Sequence, residues 1–121
     1  MLAAGRAFPQ MNGRQVFKHA TTRFPEAIHE ALEKCGRRLE EVALIVPHQA
    51  NRRISDAVAE RLGLPPAKMF QNIDRYGNTT GASVPIALTE ARDQGLFREG
   101  DLIVLAAFGS GFTWGAAVLR W

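Results

Sequence analysis

From residue 13 to residue 35, apolar side chains recur at three- and four-residue steps: Phe17, Ala20, Phe24, Ile28, Ala31, Leu32 and Cys35. That spacing draws one stripe along an α-helix. Pro25 lies inside it and removes a backbone N–H, which predicts a kink or a restart, with Thr21 or Thr22 placed to cap a second segment. Gly36 supplies a left-handed stop. Residues 42–46 form a short β-branched run that reads as a buried strand, ended by Pro47. A second helix runs to about Leu62, with Ile54, Ala57, Val58 and Leu62 on one face and Gly63 as its stop. Residues 69–73 read as a weak strand, and residues 74–81 as a polar, glycine-punctuated loop. A third helix follows to about Gln94, with Val84, Ala87, Leu88 and Ala91 on its apolar face and Gly95 as its cap. Residues 102–107 are the strongest strand signal. Residues 108–112 make a tight loop, and residues 113–120 a last strand.

Helices alternating with strands predict an α/β fold: a mixed sheet of about four strands with covering helices. The last two strands share a short loop, so the final strand is antiparallel. Ligands of such sheets sit beyond the carboxyl ends of the parallel strands. Segments 47–51, 75–81 and 108–112 fall at that edge. They include the most polar and glycine-rich loops of the chain.

Composition narrows the class. Hydrophobic residues are 46% and charged residues 22% of the 121, enough apolar side chain for a core, so disorder is excluded. The longest apolar run, residues 102–108, is far short of the ~20 needed to span a bilayer. One cysteine excludes an internal disulfide framework and a multi-cysteine zinc site. No leader pattern is visible, and a reducing, cytoplasmic setting is expected. The net charge of +3 comes with twelve Arg against three Lys. It suits an acidic partner or a phosphate ligand. No basic run exceeds two residues and no aromatic ladder accompanies them, which argues against nucleic acid.

The candidate chemistry lies in the three loops. His48 directly follows a buried strand, where a neutral imidazole can donate to a developing oxyanion or act as acid or base near pH 7; the alternative is a histidine satisfied by backbone at a strand end. Asn78, between Gly77 and Thr79, offers a non-titrating amide donor, or else a left-handed turn residue. Gly109-Ser110-Gly111 permits close backbone approach and outward N–H groups, or else a bulged hairpin turn. Arg52 and Arg53 occupy the first turn of a helix, where positive charge opposes the dipole; an anion or acidic surface docking there is the functional reading, with Lys18 and Arg61 extending the patch. Cys35 reads as a packing residue on the helix stripe. His19 and His29 have no second histidine or cysteine at i+4, so no metal site is expected.

Taken together, Pro47-His48-Gln49-Ala50-Asn51, Arg75-Tyr76-Gly77-Asn78-Thr79 and Phe108-Gly109-Ser110-Gly111-Phe112-Thr113-Trp114-Gly115 resemble the C-terminal half of β-ketoacyl-acyl-carrier-protein synthase III, the condensing enzyme that begins type II fatty acid synthesis. Residues 11–18 are also similar to that family. The resemblance implies a thiolase-like half, with residues 1–12 as a lead and 13–121 as the domain. It implies that His48 and Asn78 match the catalytic histidine and asparagine, and that the Ser110 N–H matches an oxyanion-hole donor. Phe17, Asn51 and Arg53 match the coenzyme A and phosphopantetheine entrance. Gln49, Ala50, Asn51, Arg52 and Arg53 match the carrier-protein docking segment, with Lys18 and Arg61 on the basic surface around it. Coenzyme A thioesters and phosphopantetheine-bound acyl groups are then substrates, and no resident cofactor is expected. The implied partners are acyl carrier protein, acyl-coenzyme A and the N-terminal half of the enzyme. The family's nucleophilic cysteine lies in that half, and Cys35 does not match it. No good copy of the family's leading central strand is evident in residues 1–10. The chain is therefore expected to be a fragment, inactive alone in condensation and prone to self-association through open apolar surface. A carrier-protein or coenzyme A docking fragment without chemistry, or part of a polyketide-type condensing enzyme, are the alternative functions.

Overall fold

A computed structural model of the chain describes residues 10–121, so the lead segment up to residue 9 lies outside the described residues. The first helix, α1, spans Gly13–Lys34 without interruption. The side chain of Asn12 caps it, accepting from the Gln15 N–H at 3.2 Å. Pro25 does not split it. The amide missing at Pro25 would have bonded the carbonyl of Thr21, four residues earlier. That carbonyl instead accepts from the Arg61 guanidinium at 3.0 Å. The expected capping by Thr21 and Thr22 is also replaced. Their hydroxyls donate back along the helix, to the carbonyls of Phe17 at 2.9 Å and Lys18 at 3.0 Å.

Arg61 belongs to the second helix, α2 (Arg52–Leu62), so the proline gap is filled from a neighbouring element. Arg61→Ala leaves that part-buried carbonyl without its partner, and we expect a loss of about 1–2 kcal/mol in urea unfolding. An unchanged midpoint would show that water serves the carbonyl equally well.

Strand β1 (Val42–Pro47) pairs in parallel with β2 (Leu102–Gly109), and β2 pairs antiparallel with β3 (Thr113–Arg120). The sheet order is β1-β2-β3. The fold class expected from the pattern is present, with one strand fewer. Residues 69–73 contribute only an isolated bridge, Met69 to Ile45, with the Phe70 N–H on the Ile45 carbonyl at 2.9 Å. The cause is local. A 3-10 turn at Pro66–Lys68 precedes that pair and a short helix, α3 (Ile73–Tyr76), follows it, so no strand length remains between them. The segment read as a polar loop likewise contains α3 and a 3-10 turn at Thr80–Ala82 before the last helix, α4 (Ser83–Asp93).

Alternation along the strands, with one irregularity in β1 between Val42 and Leu44, sorts the core onto two faces. Val42, Ile45, Leu102, Val104, Ala106 and Phe108 pack under α1 and α2 against Phe24, Ile28 and Val58. Leu44, Val46 and Ile103 pack on the other face against Ala87 and Ala91 of α4, with Phe70 and Phe97. The helices α1, α2 and α4 each hand over to a left-handed glycine: Gly36 at φ 62°, Gly63 at φ 66° and Gly95 at φ 69°. At each, the next N–H bonds back into the helix, as Arg37 does to Leu32, Leu64 to Ala59 and Leu96 to Ala91.

Candidate functional site

His48 is the first residue beyond β1. Its N–H donates to the Ala106 carbonyl at 2.7 Å, which continues the parallel ladder one step past the strand and fixes the backbone. The side chain is half-buried. Burial without an opposing charge pushes its pKa below the ordinary 6.5, which favours the neutral imidazole. As pH falls below 6.5, the unfolded chain binds protons before the folded one does. The contribution of neutral His48 is therefore present above that value and is lost on acidification through the lower folded pKa.

The Nδ1 atom of His48 is hydrogen-bonded to the hydroxyl of Ser83, the first residue of α4. With Nδ1 engaged by protein, Nε2 is the nitrogen left for a substrate. Ser83 also accepts from the Gln49 N–H at 3.2 Å. Ser83 stands outside the residues singled out from sequence. Its signal was a hydroxyl in register with Ala87 and Ala91, which are buried with it on one face of α4. A polar residue on a buried stripe demands a partner.

Asn78 lies five residues before Ser83. Its Oδ1 accepts from the Thr80 N–H at 2.9 Å. That bond orients the carboxamide, so its NH₂ is the end turned to solvent or ligand. The exposed Asn78 thus has the donor role open to it, on a turn joined through Ser83 to His48.

Gln49 differs from its expected place on a docking surface. Its side chain is 3% exposed and turned inward. Its amide donates to the carbonyls of Pro47 at 2.9 Å and Phe70 at 3.2 Å, and its oxygen accepts from the Asn72 N–H at 3.0 Å. Gln49 therefore ties the exit of β1 to the segment before α3. Asn72 extends the tie, donating to Glu90 of α4 at 2.7 Å, and Glu90 also pairs with Arg75. The polar network holds both sides of the loop that carries Asn78.

The rest of the docking segment is at the surface. Ala50 is half-buried, and Asn51, Arg52 and Arg53 are exposed. Asn51 is the N-cap of α2, its side chain accepting from the Arg53 N–H at 2.9 Å. Arg52 lies 3.9 Å from Asp56, a loose exposed pair. Arg61 sits at the far end of α2, about 12 Å along the axis from Arg53. Its guanidinium is committed to α1, on the Thr21 carbonyl and the Thr22 hydroxyl. Arg61 thus lies away from Arg53 along α2 but against the turn of α1 that follows Lys18.

Phe17 and Lys18 are exposed on α1. The neighbouring His19 ring lies 5.1 Å from that of Phe112 in a tilted arrangement, which brings this turn of α1 beside the loop between β2 and β3. Ser110 is exposed in that loop. Gly111 has φ 141°, and a Cβ there would meet the Thr113 Oγ1 at 2.5 Å, so the loop's shape requires glycine at this position.

Cys35 is exposed, contrary to the packing role read from its place on the helix stripe. It is the C-cap residue of α1, where the chain has begun to turn away from the core. It leads into the start of β1, whereas His48 leaves its end. Among the described residues no cluster of three or more His, Cys, Asp or Glu could hold a metal ion.

His48 follows the carboxyl end of a parallel strand, Asn78 lies on the turn before α4, and the glycine loop joins β2 to β3; the fold is that of a thiolase-like condensing-enzyme half. Residues 32–121 match the family described as 3-oxoacyl-[acyl-carrier-protein (ACP)] synthase III C terminal. The chain belongs to that family. It is 50% identical over 121 residues to a beta-ketoacyl-[acyl-carrier-protein] synthase III of Roseiflexus sp. (strain RS-1), covering 100% of this chain and 37% of that relative. The likeness therefore extends through the lead, beyond the Met11 start suggested by motifs. A beta-ketoacyl-[acyl-carrier-protein] synthase III structure from Thermus thermophilus superposes with a TM-score of 0.90 at 56% identity, over 93% of this chain and 35% of that one. The priming beta-ketosynthase of the R1128 polyketide pathway superposes at 0.86 and 34% identity, over 92% of this chain and 34% of that one. The chain thus spans about a third of the length of the relatives it matches. No helix among the described residues is long and apolar enough to cross a membrane.

Proposed function

We propose that this chain is the C-terminal domain of a 3-oxoacyl-acyl-carrier-protein synthase III, and that it supplies the decarboxylating half of a Cys-His-Asn site. The observation that carries this reading is the half-buried His48 just past β1, whose Nδ1 is engaged by the Ser83 hydroxyl so that Nε2 is the nitrogen left for a substrate. In the proposed reaction, His48 Nε2–H and the Asn78 amide donate to the thioester oxygen of malonyl-carrier protein. The bond from the α-carbon to the carboxylate breaks, carbon dioxide leaves, and its electron pair forms the enolate. The two donors stabilise the negative charge where it develops. The enolate carbon then attacks an acyl thioester on the cysteine of the N-terminal half, and that thiolate departs. A 3-oxoacyl-carrier protein results. Acyl-coenzyme A charges the cysteine beforehand, releasing coenzyme A, with the Ser110 N–H donating to the oxyanion of that transfer. No resident cofactor is required by this scheme, and a cytoplasmic setting suits its soluble carrier-bound substrates.

The exposed Arg53, with Lys18 on α1, provides positive charge beside the site for an acidic carrier protein. Phe17 and Asn51 line the same approach for the phosphopantetheine arm. In the enzyme completed with its cysteine-bearing half, Arg53→Glu is expected to raise the KM for malonyl-carrier protein about tenfold, since each 1.4 kcal/mol is a factor of ten. The kcat stays near its original value. An unchanged KM would remove Arg53 from the docking surface. The likeness to a polyketide priming ketosynthase favours a second reading, in which the same half-site serves a polyketide carrier protein. Comparing malonyl-carrier proteins of both kinds separates the two.

A further inference from the structure

The hydroxyl of Ser83 is buried at 2% exposure, and its hydrogen-bond inventory is closed. A serine hydroxyl carries one hydrogen and two acceptor lone pairs. One lone pair receives the Gln49 N–H at 3.2 Å. The remaining partner among the described residues is Nδ1 of His48. If Nδ1 bore the proton, it would take the second lone pair and leave the buried hydroxyl hydrogen without an acceptor. If Nδ1 is bare, Ser83 donates to it and every group is satisfied. The Gln49 N–H contributes by fixing which way the hydroxyl can turn.

We propose that Ser83 is a positioning residue that holds His48 as its Nε2–H tautomer and aims that N–H out of the protein. The inference deepens the proposed function and rests on it for what Nε2 then meets, namely the thioester oxygen. The tautomer itself is a property of the histidine pocket and can be read without turnover.

The test is ¹⁵N NMR of the imidazole nitrogens in the enzyme completed with its N-terminal half, with His48 assigned by its loss in His48→Ala. The original protein should show a protonated Nε2 and a bare, hydrogen-bonded Nδ1. In Ser83→Ala the two shifts should converge as both tautomers become populated, and kcat for malonyl decarboxylation should fall about 3- to 10-fold, the worth of one net hydrogen bond, with KM unchanged. Ser83→Thr, which keeps the hydroxyl, should restore the original shifts. A protonated Nδ1 in the unsubstituted protein overturns the proposal and needs no variant to fold. So do identical His48 shifts in Ser83→Ala. If the shifts move as expected but His48→Ala decarboxylates at the original rate, the catalytic reading fails and the tautomer assignment stands. If His48→Ala is inactive and the shifts do not move, the reverse holds.

Discussion

His48→Ala, in the enzyme completed with the cysteine-bearing half, is expected to slow malonyl-thioester decarboxylation by about 10²- to 10³-fold, the usual cost of one oxyanion donor. Asn78→Ala should fall in the same range. The size follows from where the charge appears. The thioester oxygen is nearly neutral before the carbon–carbon bond breaks and carries the enolate charge afterwards, so a donor aimed at it lowers the barrier more than it strengthens binding. The KM for malonyl-carrier protein should therefore change far less than kcat. His48 is suited to the task because burial favours its neutral form and Ser83 occupies its Nδ1. The substitution also leaves the buried Ser83 hydroxyl without its imidazole partner, at a cost of about 1–3 kcal/mol in stability. Urea unfolding separates that loss from the catalytic one. A His48→Ala enzyme that folds and decarboxylates at the original rate would refute the role.

The second large effect is an absence. The chain by itself, treated with acetyl-coenzyme A, is expected to carry no acetyl group on Cys35. A nucleophilic thiol needs a stabilised thiolate, and helix N-termini or cationic neighbours provide it. Cys35 is the exposed C-cap residue of α1 and does not sit at a helix N-terminus. It also precedes β1, whose six residues span roughly 20 Å at ~3.3 Å per residue, and His48 lies past the other end. Intact-protein mass spectrometry reads the outcome directly. One acetyl group per chain, mapped to Cys35, would mean that the chain brings its own acyl acceptor.

Much of this architecture was legible in the sequence. The three long helices were visible because their apolar spacing agreed with their terminators, and Gly36, Gly63 and Gly95 each take the left-handed turn that the pattern required. The strands β1, β2 and β3 were visible as β-branched or apolar runs bounded by Pro47 and the glycine loop. What was not legible depends on contacts distant in sequence. Pro25 reads as a break because the chain alone does not disclose that Arg61, 36 positions later, will take the orphaned Thr21 carbonyl. Residues 69–73 have strand-like character, yet the turns on either side leave room for a single bridge.

The site divides in the same way. His48 and Asn78 were marked by position at a strand end and between turn residues. Gln49 was grouped with them by adjacency, but a residue next to a functional one on a strand exit points the other way, and Gln49 points into the protein. Cys35 falls on the helix stripe by spacing, yet it follows the last helical residue, and Leu32 is the last buried position of α1. Ser83 carried a signal that periodicity discounts, a lone hydroxyl on an apolar stripe.

The central claim is that His48 and Asn78 form half of a condensing site completed by another segment. Native mass and malonyl-carrier-protein turnover test it most directly, measured for this chain alone and mixed with a purified cysteine-bearing N-terminal half. The expected result is a complex of the two halves and turnover in the mixture alone. Condensation by the isolated chain, or an assembled complex that leaves malonyl-carrier protein intact, would contradict it.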